Sequence, residues 1–282
     1  MQRWKVGDVT ITRIVELQLP GLKFILPDAT VENLAKIPWL KPHFVDETGD
    51  AVASVHMLVV ESQGQTIVVD TCIGNDKSLP MKFWSNLQTP FMDNFRQAGF
   101  DTDAIDTVLC THLHVDHVGW NTTLKDGKWV PTFPNANYLW GRVEWEHWSN
   151  ANAPEMESIL NQSVRPIADA GLNSLVEVDH MLNDEVSLEP TPGHTPGHVS
   201  VRIKSQGAEA VITGDLIHHP AQMACPHWRC TADTDGAQAE QTRRDFLAAH
   251  ADLPTLVIGS HFATPTAGKI VRDGDVWRFE VD

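Results

Sequence analysis

The segment Leu109-Cys-Thr-His112-Leu-His114-Val-Asp116-His117-Val-Gly119-Trp120 constrains this chain more than any other stretch. It places three imidazoles and a carboxylate between positions 112 and 117, just after an apolar run. Alternate side chains of a strand leave on one face, so His112 and His114 point together, and Asp116-His117 turn back toward a neighbouring point. A zinc ion prefers a tetrahedron of N, O and S donors. Four donors this close therefore need partners from elsewhere in the chain, and they suit two ions better than one. An isolated histidine is usually a hydrogen-bonded structural residue, and that reading stands for His56 and His147. The joint pattern at 112–117 reverses it.

Further donors stand beside later apolar runs, in Thr191-Pro-Gly-His194-Thr-Pro-Gly-His198, in Thr213-Gly-Asp215 and in Gly259-Ser-His261. A glycine near each lets the backbone turn sharply and keeps bulk out of a pocket. Runs rich in Val, Ile and Thr predict strands at 9–17, 54–61, 66–70, 107–111, 199–203, 210–213 and 255–258. Gln63-Gly64, Asp126-Gly127 and Asp273-Gly274 predict hairpin turns. Helical spacing predicts helices over 88–99, 142–149, 155–170 and 237–251. The last shows Ala239, Thr242, Phe246 and Ala249 on one face, with Asp235 as its cap. No linker or low-complexity segment interrupts the chain, so a single domain over 1–282 is expected. Residues 19–50 form an irregular, proline-rich stretch with Phe24, Trp39 and Phe44, of the kind that caps a core or lines a site.

With 21 Lys and Arg against 37 Asp and Glu, the formal charge is −16. Such a surface repels phosphate backbones and anionic membranes, which argues against nucleic-acid or membrane partners and for a neutral small-molecule substrate. There is no membrane-length apolar run and no signal-peptide core at the N-terminus, so a soluble, cytoplasmic protein is expected. Four cysteines are too few for a disulfide scaffold. Cys72 and Cys110 read as packing thiols, and Cys225 and Cys230, which flank His227, as ordinary loop thiols rather than a disulfide or a partial zinc site.

Taken in order, Asp70 in Val-Val-Asp-Thr, the His-x-His-x-Asp-His run, His194, Asp215 and His261 resemble the five motifs of the metallo-β-lactamase superfamily over roughly residues 52–262. The resemblance implies an α/β fold, a four-layer αβ/βα sandwich of two mixed β-sheets flanked by helices. It implies that His112, His114 and His194 bind one metal, that Asp116, His117 and His261 bind the second, and that Asp215 bridges them. Asp70 and His198 would then act by hydrogen bonding rather than coordination. The implied cofactor is two Zn2+ per chain, with Mn, Fe or Co also able to occupy such N/O sites. Similar enzymes are often homodimers.

Two places narrow the branch. His218 stands three residues after Asp215, where acyl-homoserine lactonases carry a tyrosine. Thr213-Gly-Asp-Leu-Ile-His218, Gly268-Lys-Ile and Val276-Trp-Arg-Phe279 resemble the methyl parathion hydrolase branch. His114 argues against the oxygen reductases, which carry Glu there. The expectation is a dinuclear zinc esterase, lactonase or phosphotriesterase in which metal-activated hydroxide attacks the substrate. Asp116 or Asp215 would relay the proton, and His218 would donate to the developing oxyanion. Trp120, and less strongly Trp140, Trp148 and Phe24, are candidate walls of an apolar pocket. The competing readings are a glyoxalase-type thioester hydrolase and a non-hydrolytic metal-binding sensor or redox protein.

Overall fold

The computed structural model describes residues 1–151 and 153–281. Its contacts divide the chain into two compact units, one of Met1–Glu16 and Val55–Val178, the other of Leu17–Ser54 and Asp179–Asp282.

The first unit contributes strand β1 (Gln2–Val6), most of β2 (Val9–Pro20) and of β3 (Val52–Ser62), and strands β4 (Gln65–Val69), β5 (Thr107–Leu109), β6 (Thr122–Lys125), β7 (Lys128–Pro131), β8 (Asn137–Gly141) and β9 (Asn173–Val176). Seven of them form a sheet in the order β1-β2-β3-β4-β5-β8-β9, and β6 and β7 pair separately. The hairpins are antiparallel, and Gln63-Gly64 closes β3 onto β4 as the sequence predicts. From β4 to β9 the strands run parallel. Parallel neighbours need long crossovers, and helices supply them at Phe91–Gln97 and Arg142–Asn150. Strand β5 is short and nearly wholly apolar, with Val108 and Leu109 fully buried, as suits a strand covered on both faces. Functional loops in open α/β sheets gather beyond the carboxyl ends of such strands. Asp70 follows β4, and residues 110–117 follow β5.

The predicted helix over 88–99 begins only at Phe91, with Pro90 at its N-cap. A proline steers the residue before it away from helical angles, which keeps Thr89 outside the helix. The predicted helix over 155–170 is interrupted by a π-turn at Leu160–Val164, between Pro154–Ile159 and Arg165–Asp169. Pro166 lacks the amide that a continuous helix would use.

The second unit holds β10 (Val186–Pro190), β11 (Val199–Ser205), β12 (Ala208–Ile212), β13 (Leu256–Ile258), β14 (Ala267–Asp273) and β15 (Val276–Glu280), paired in that order. Only β12 and β13 are parallel, and the helix Gly236–His250 lies in their crossover. Asp235 caps it, accepting from the amides of Ala237 and Gln238. Its buried face is Ala239, Arg243, Phe246, Leu247 and His250 rather than the predicted face with Ala249. The buried position goes to Arg243 because its guanidinium is satisfied, donating to the carbonyls of Leu216, Pro226 and Trp228. An apolar cluster including Phe44, Trp228, Phe246, Phe262 and Phe279 fills this unit. Residues 19–50 pack Leu22, Leu26, Leu34, Leu40 and Phe44 into it through the short helix Val31–Leu34 and two 3-10 turns. No helix among the described residues is long and apolar enough to cross a membrane.

Candidate metal centre

In the first unit the carboxylate of Asp70 organises the donors. Its backbone leaves β4 in the left-handed region, at φ 56°, an uncommon conformation for a residue with a side chain. One oxygen accepts from the Thr111 amide at 2.7 Å. The other accepts from His117 Nδ1 at 2.8 Å, which directs His117 Nε2 outward, 3.8 Å from Asp116 Oδ1. Thr111 Oγ1 lies 3.1 Å from His112 Nδ1, and His112 Nε2 lies 3.1 Å from His114 Nδ1. Two donors on one tetrahedral zinc ion stand about 3.3 Å apart, so this pair of ring nitrogens is spaced for a common ion. His112 and His117 are buried, whereas His114 and Asp116 are partly exposed.

Two acids that sequence reasoning passed over support this loop. Glu144, buried in the helix Arg142–Asn150, accepts from the Leu113 amide at 3.0 Å and from Trp148 Nε1 at 2.6 Å. The Trp148 ring lies 5.5 Å from that of His114. Glu16 accepts from the amides of Ile73 and Gly74 and from Trp120 Nε1 at 2.6 Å. Burial raises its carboxyl above the ordinary range, against the pull of these donors. The signal for Glu144 was its i, i+4 spacing to Trp148. Glu16 lies 104 residues from Trp120 and offered none. Gly119 is required by close approach, since a Cβ there would lie 1.8 Å from the Ile73 carbonyl oxygen.

Of the aromatic candidates, Trp120 is buried, bonded to Glu16 and stacked on Phe91 at 5.7 Å. Trp140 is fully buried and stacked on Trp145. Both rings are core rather than pocket wall. In the second unit Phe24 is 47% exposed, at the surface. Trp148, against His114, is the one of the four that touches a candidate donor.

In the second unit the carboxylate of Asp215 is the centre. Its Oδ1 lies 2.9 Å from His261 Nε2, and its Oδ2 lies 3.3 Å from both His194 Nε2 and His218 Nε2. Two of these histidines, His194 and His261, each have an acceptor for the other ring nitrogen. His194 Nδ1 donates to Asp233 Oδ1 at 2.9 Å, and His261 Nδ1 to the Ser54 carbonyl at 3.0 Å. Such partners fix tautomer and ring plane and leave Nε2 to coordinate. Gly193 brings the backbone against the helix Gly236–His250, where a Cβ would lie 2.3 Å from the Ala239 amide nitrogen. His198 uses both nitrogens within the protein: Nε2 accepts from the Asp215 amide, so Nδ1 carries the proton and donates to Thr191. Asp233 and Cys230, which sequence reasoning did not place here, both lie in this cluster. All four cysteines are free.

Both donor sets are imidazole and carboxylate, the chemistry of Zn, Mn, Fe and Co sites. A model of the metallo-beta-lactamase superfamily matches residues 51–261, most of the chain. The chain belongs to this superfamily. Among curated superfamily relatives, it is 29% identical over 118 residues to an N-acyl homoserine lactonase of Bacillus sp, spanning 42% of this chain and 40% of that one. It is 32% identical over 114 residues to the probable metallo-hydrolase YqgX of Bacillus subtilis (strain 168), spanning 39% and 48%. The chain thus matches less than half the length of these relatives. Among solved structures it resembles AbOPH, described as a hydrolase in the beta lactamase superfamily, at 25% identity and TM-score 0.81 over 98% of this chain and 95% of that one. It also shares the fold of AidC, a dizinc quorum-quenching lactonase, at 21% identity and TM-score 0.79 over 100% and 97%.

Proposed function

We propose that this protein is a hydrolase that uses two divalent ions, zinc by preference, to cleave ester, lactone or phosphotriester bonds of neutral, apolar small molecules. One ion would be held by His112, His114 and His194, the other by Asp116, His117 and His261, with Asp215 between them, an assignment supported by superfamily membership. The observation that carries the reading is Asp215. Each of its oxygens meets a different imidazole, at 2.9 Å and 3.3 Å, as a bridging carboxylate requires. When bound, the ions would supply Lewis acidity and a water acidic enough to act as nucleophile near neutral pH.

The chain's own residues do the rest. Asp70 and Asp233 bind Nδ1 of His117 and His194 and so turn Nε2 of each toward Asp116 and Asp215. Asp116, partly exposed beside His117, would take the proton from water. His218 is 2% exposed and turned to Asp215, so it acts on that carboxylate rather than reaching out to a substrate oxygen. The net charge of −16 disfavours anionic substrates. The names of the lactonase relatives support lactones as the first substrates to try.

Elemental analysis together with a panel of lactones, p-nitrophenyl esters and aryl phosphotriesters tests this. The expected result is about two metal ions per chain and turnover of at least one class. Iron with oxygen consumption and no hydrolysis would overturn it. Turnover confined to glutathione thioesters would replace it with the glyoxalase-type reaction.

A further inference from the structure

Cys230 is buried, at 5% exposed, and its thiol interacts with the imidazoles of both His194 and His218. One ring nitrogen of each histidine and the Cys230 sulfur lie within 4.8 Å of one another. The same imidazoles each set Nε2 3.3 Å from Asp215 Oδ2. With Zn–N and Zn–O bonds of about 2.0–2.1 Å, two donors on a tetrahedral ion stand about 3.3–3.4 Å apart, and a sulfur at about 2.3 Å stands about 3.5 Å from each nitrogen. The two nitrogen–oxygen edges already have that length, and the sulfur lies within 4.8 Å of a ring nitrogen of each histidine.

Two further observations separate this cluster from ordinary packing. His218 is 2% exposed, yet its Nδ1 has no hydrogen-bond partner among the described residues. A buried polar nitrogen without a partner is unfavourable in ordinary packing, yet this ring is held facing Asp215 and Cys230. The turn at 230–233 also ties sulfur and imidazole together. The Cys230 amide donates to Asp233 Oδ2 while Asp233 Oδ1 accepts from His194, and the Ala232 amide donates to the Cys230 sulfur at 3.4 Å.

We infer that Cys230, His218, His194 and Asp215 form a sulfur-containing metal site within the second unit, which takes a thiophilic divalent ion such as Zn2+ or Cd2+. It shares His194 and Asp215 with the proposed hydrolytic set, so an ion bound through sulfur withdraws both from that set. On binding, the thiol proton leaves to solvent and a sulfur–metal bond replaces the sulfur–hydrogen bond. No oxidation is involved. A soft ion such as Cd2+ favours the sulfur set over the all-N/O set.

The test is titration of the metal-free full chain with Co2+ and with Cd2+, read by absorption. The expected result is a near-ultraviolet thiolate-to-metal charge-transfer band that persists in Cys225→Ser and disappears in Cys230→Ser, while the visible bands of cobalt bound to nitrogen and oxygen remain. His218→Gln should weaken Cd2+ binding at least about tenfold. Wild-type protein that binds Co2+ without a thiolate band, or a band unchanged in Cys230→Ser, overturns the proposal. X-ray absorption at the metal edge of Cd-loaded wild-type protein is independent of whether any variant folds, and absence of a sulfur shell also overturns it. The inference rests partly on the ligand assignment above, but the two fail separately: a thiolate band without turnover on any substrate sinks the hydrolase reading, whereas turnover without the band sinks this one.

Discussion

The two units hold their donors by opposite strategies. In the first, four donors follow one strand within a single loop, and one carboxylate, Asp70, fixes that loop through the Thr111 amide and His117. In the second, His194, Asp215 and His261 come from the ends of three separate segments, and each is held by its own partner: Asp233, the His198 ring and the Ser54 carbonyl. A local loop presents its donors by virtue of covalent spacing, so a few contacts suffice. A dispersed set must fix every ring separately, and the cost of an error at any one anchor falls on that donor alone.

The largest effect that can break this comparison comes from the carboxylates themselves. Asp215→Ala and Asp116→Ala should each lower turnover about 10³-fold, or ~4 kcal/mol of transition-state stabilisation. Metal analysis should show Asp215→Ala disturbing both ions and Asp116→Ala one. Equal loss of metal in both variants would contradict the bridging role.

Next comes pH. His219 donates from Nε2 to the Phe44 carbonyl and accepts at Nδ1 from the Ala221 amide, an arrangement that only the neutral ring can make. Burial pushes its pKa down to about 4 from an ordinary 6.5. Above pH 6.5 the ring is neutral whether the chain is folded or not, and it contributes no pH dependence. As pH falls from 6.5 toward 4 the unfolded chain takes up a proton that the folded one refuses, so stability declines, by about 3 kcal/mol at the lower limit. Hydrogen exchange resolved by segment should show protection falling first around residues 217–224 and 44–52, and His219→Gln should flatten the profile.

The two anchoring carboxylates offer a matched pair. Asp70→Asn and Asp233→Asn should each weaken metal binding about 10–100-fold. Asp70→Asn should be the more severe, because it disturbs His117 and Thr111 together, and competition with a chelator measures the ratio. Smallest is Glu144→Gln, which keeps an acceptor for the Leu113 amide and Trp148 but removes its charge. About 1 kcal/mol should be lost in a urea unfolding series, with metal content unchanged.

The same contrast explains what the amino-acid sequence revealed. The 112–117 run was legible because its chemistry is dense over a few residues, and Asp70 because it closes a strand of plain apolar pattern. The helix Gly236–His250 was legible through Asp235 and its periodicity, although Arg243 took a buried place that an apolarity rule assigns to other residues. Strands β8 and β9 carry too few residues, and too mixed a set, to stand out from their neighbours. Glu16 and Glu144 look like surface acids until the fold brings buried amide and indole donors to them. Cys230 looks like a loop thiol because His194 and His218 lie 36 and 12 residues before it in the chain.

Arg243 has a consequence for how this protein can change. It clasps the stretch from Leu216 to Trp228 by main-chain oxygens alone, which every amino acid carries. The clasp is therefore blind to which side chains lie between its grips, and residues 224–227 can be rewritten, by evolution or by a library, while Asp215 and His218 keep their posts. One arginine on a helix thus frees a neighbouring loop to explore new sequences.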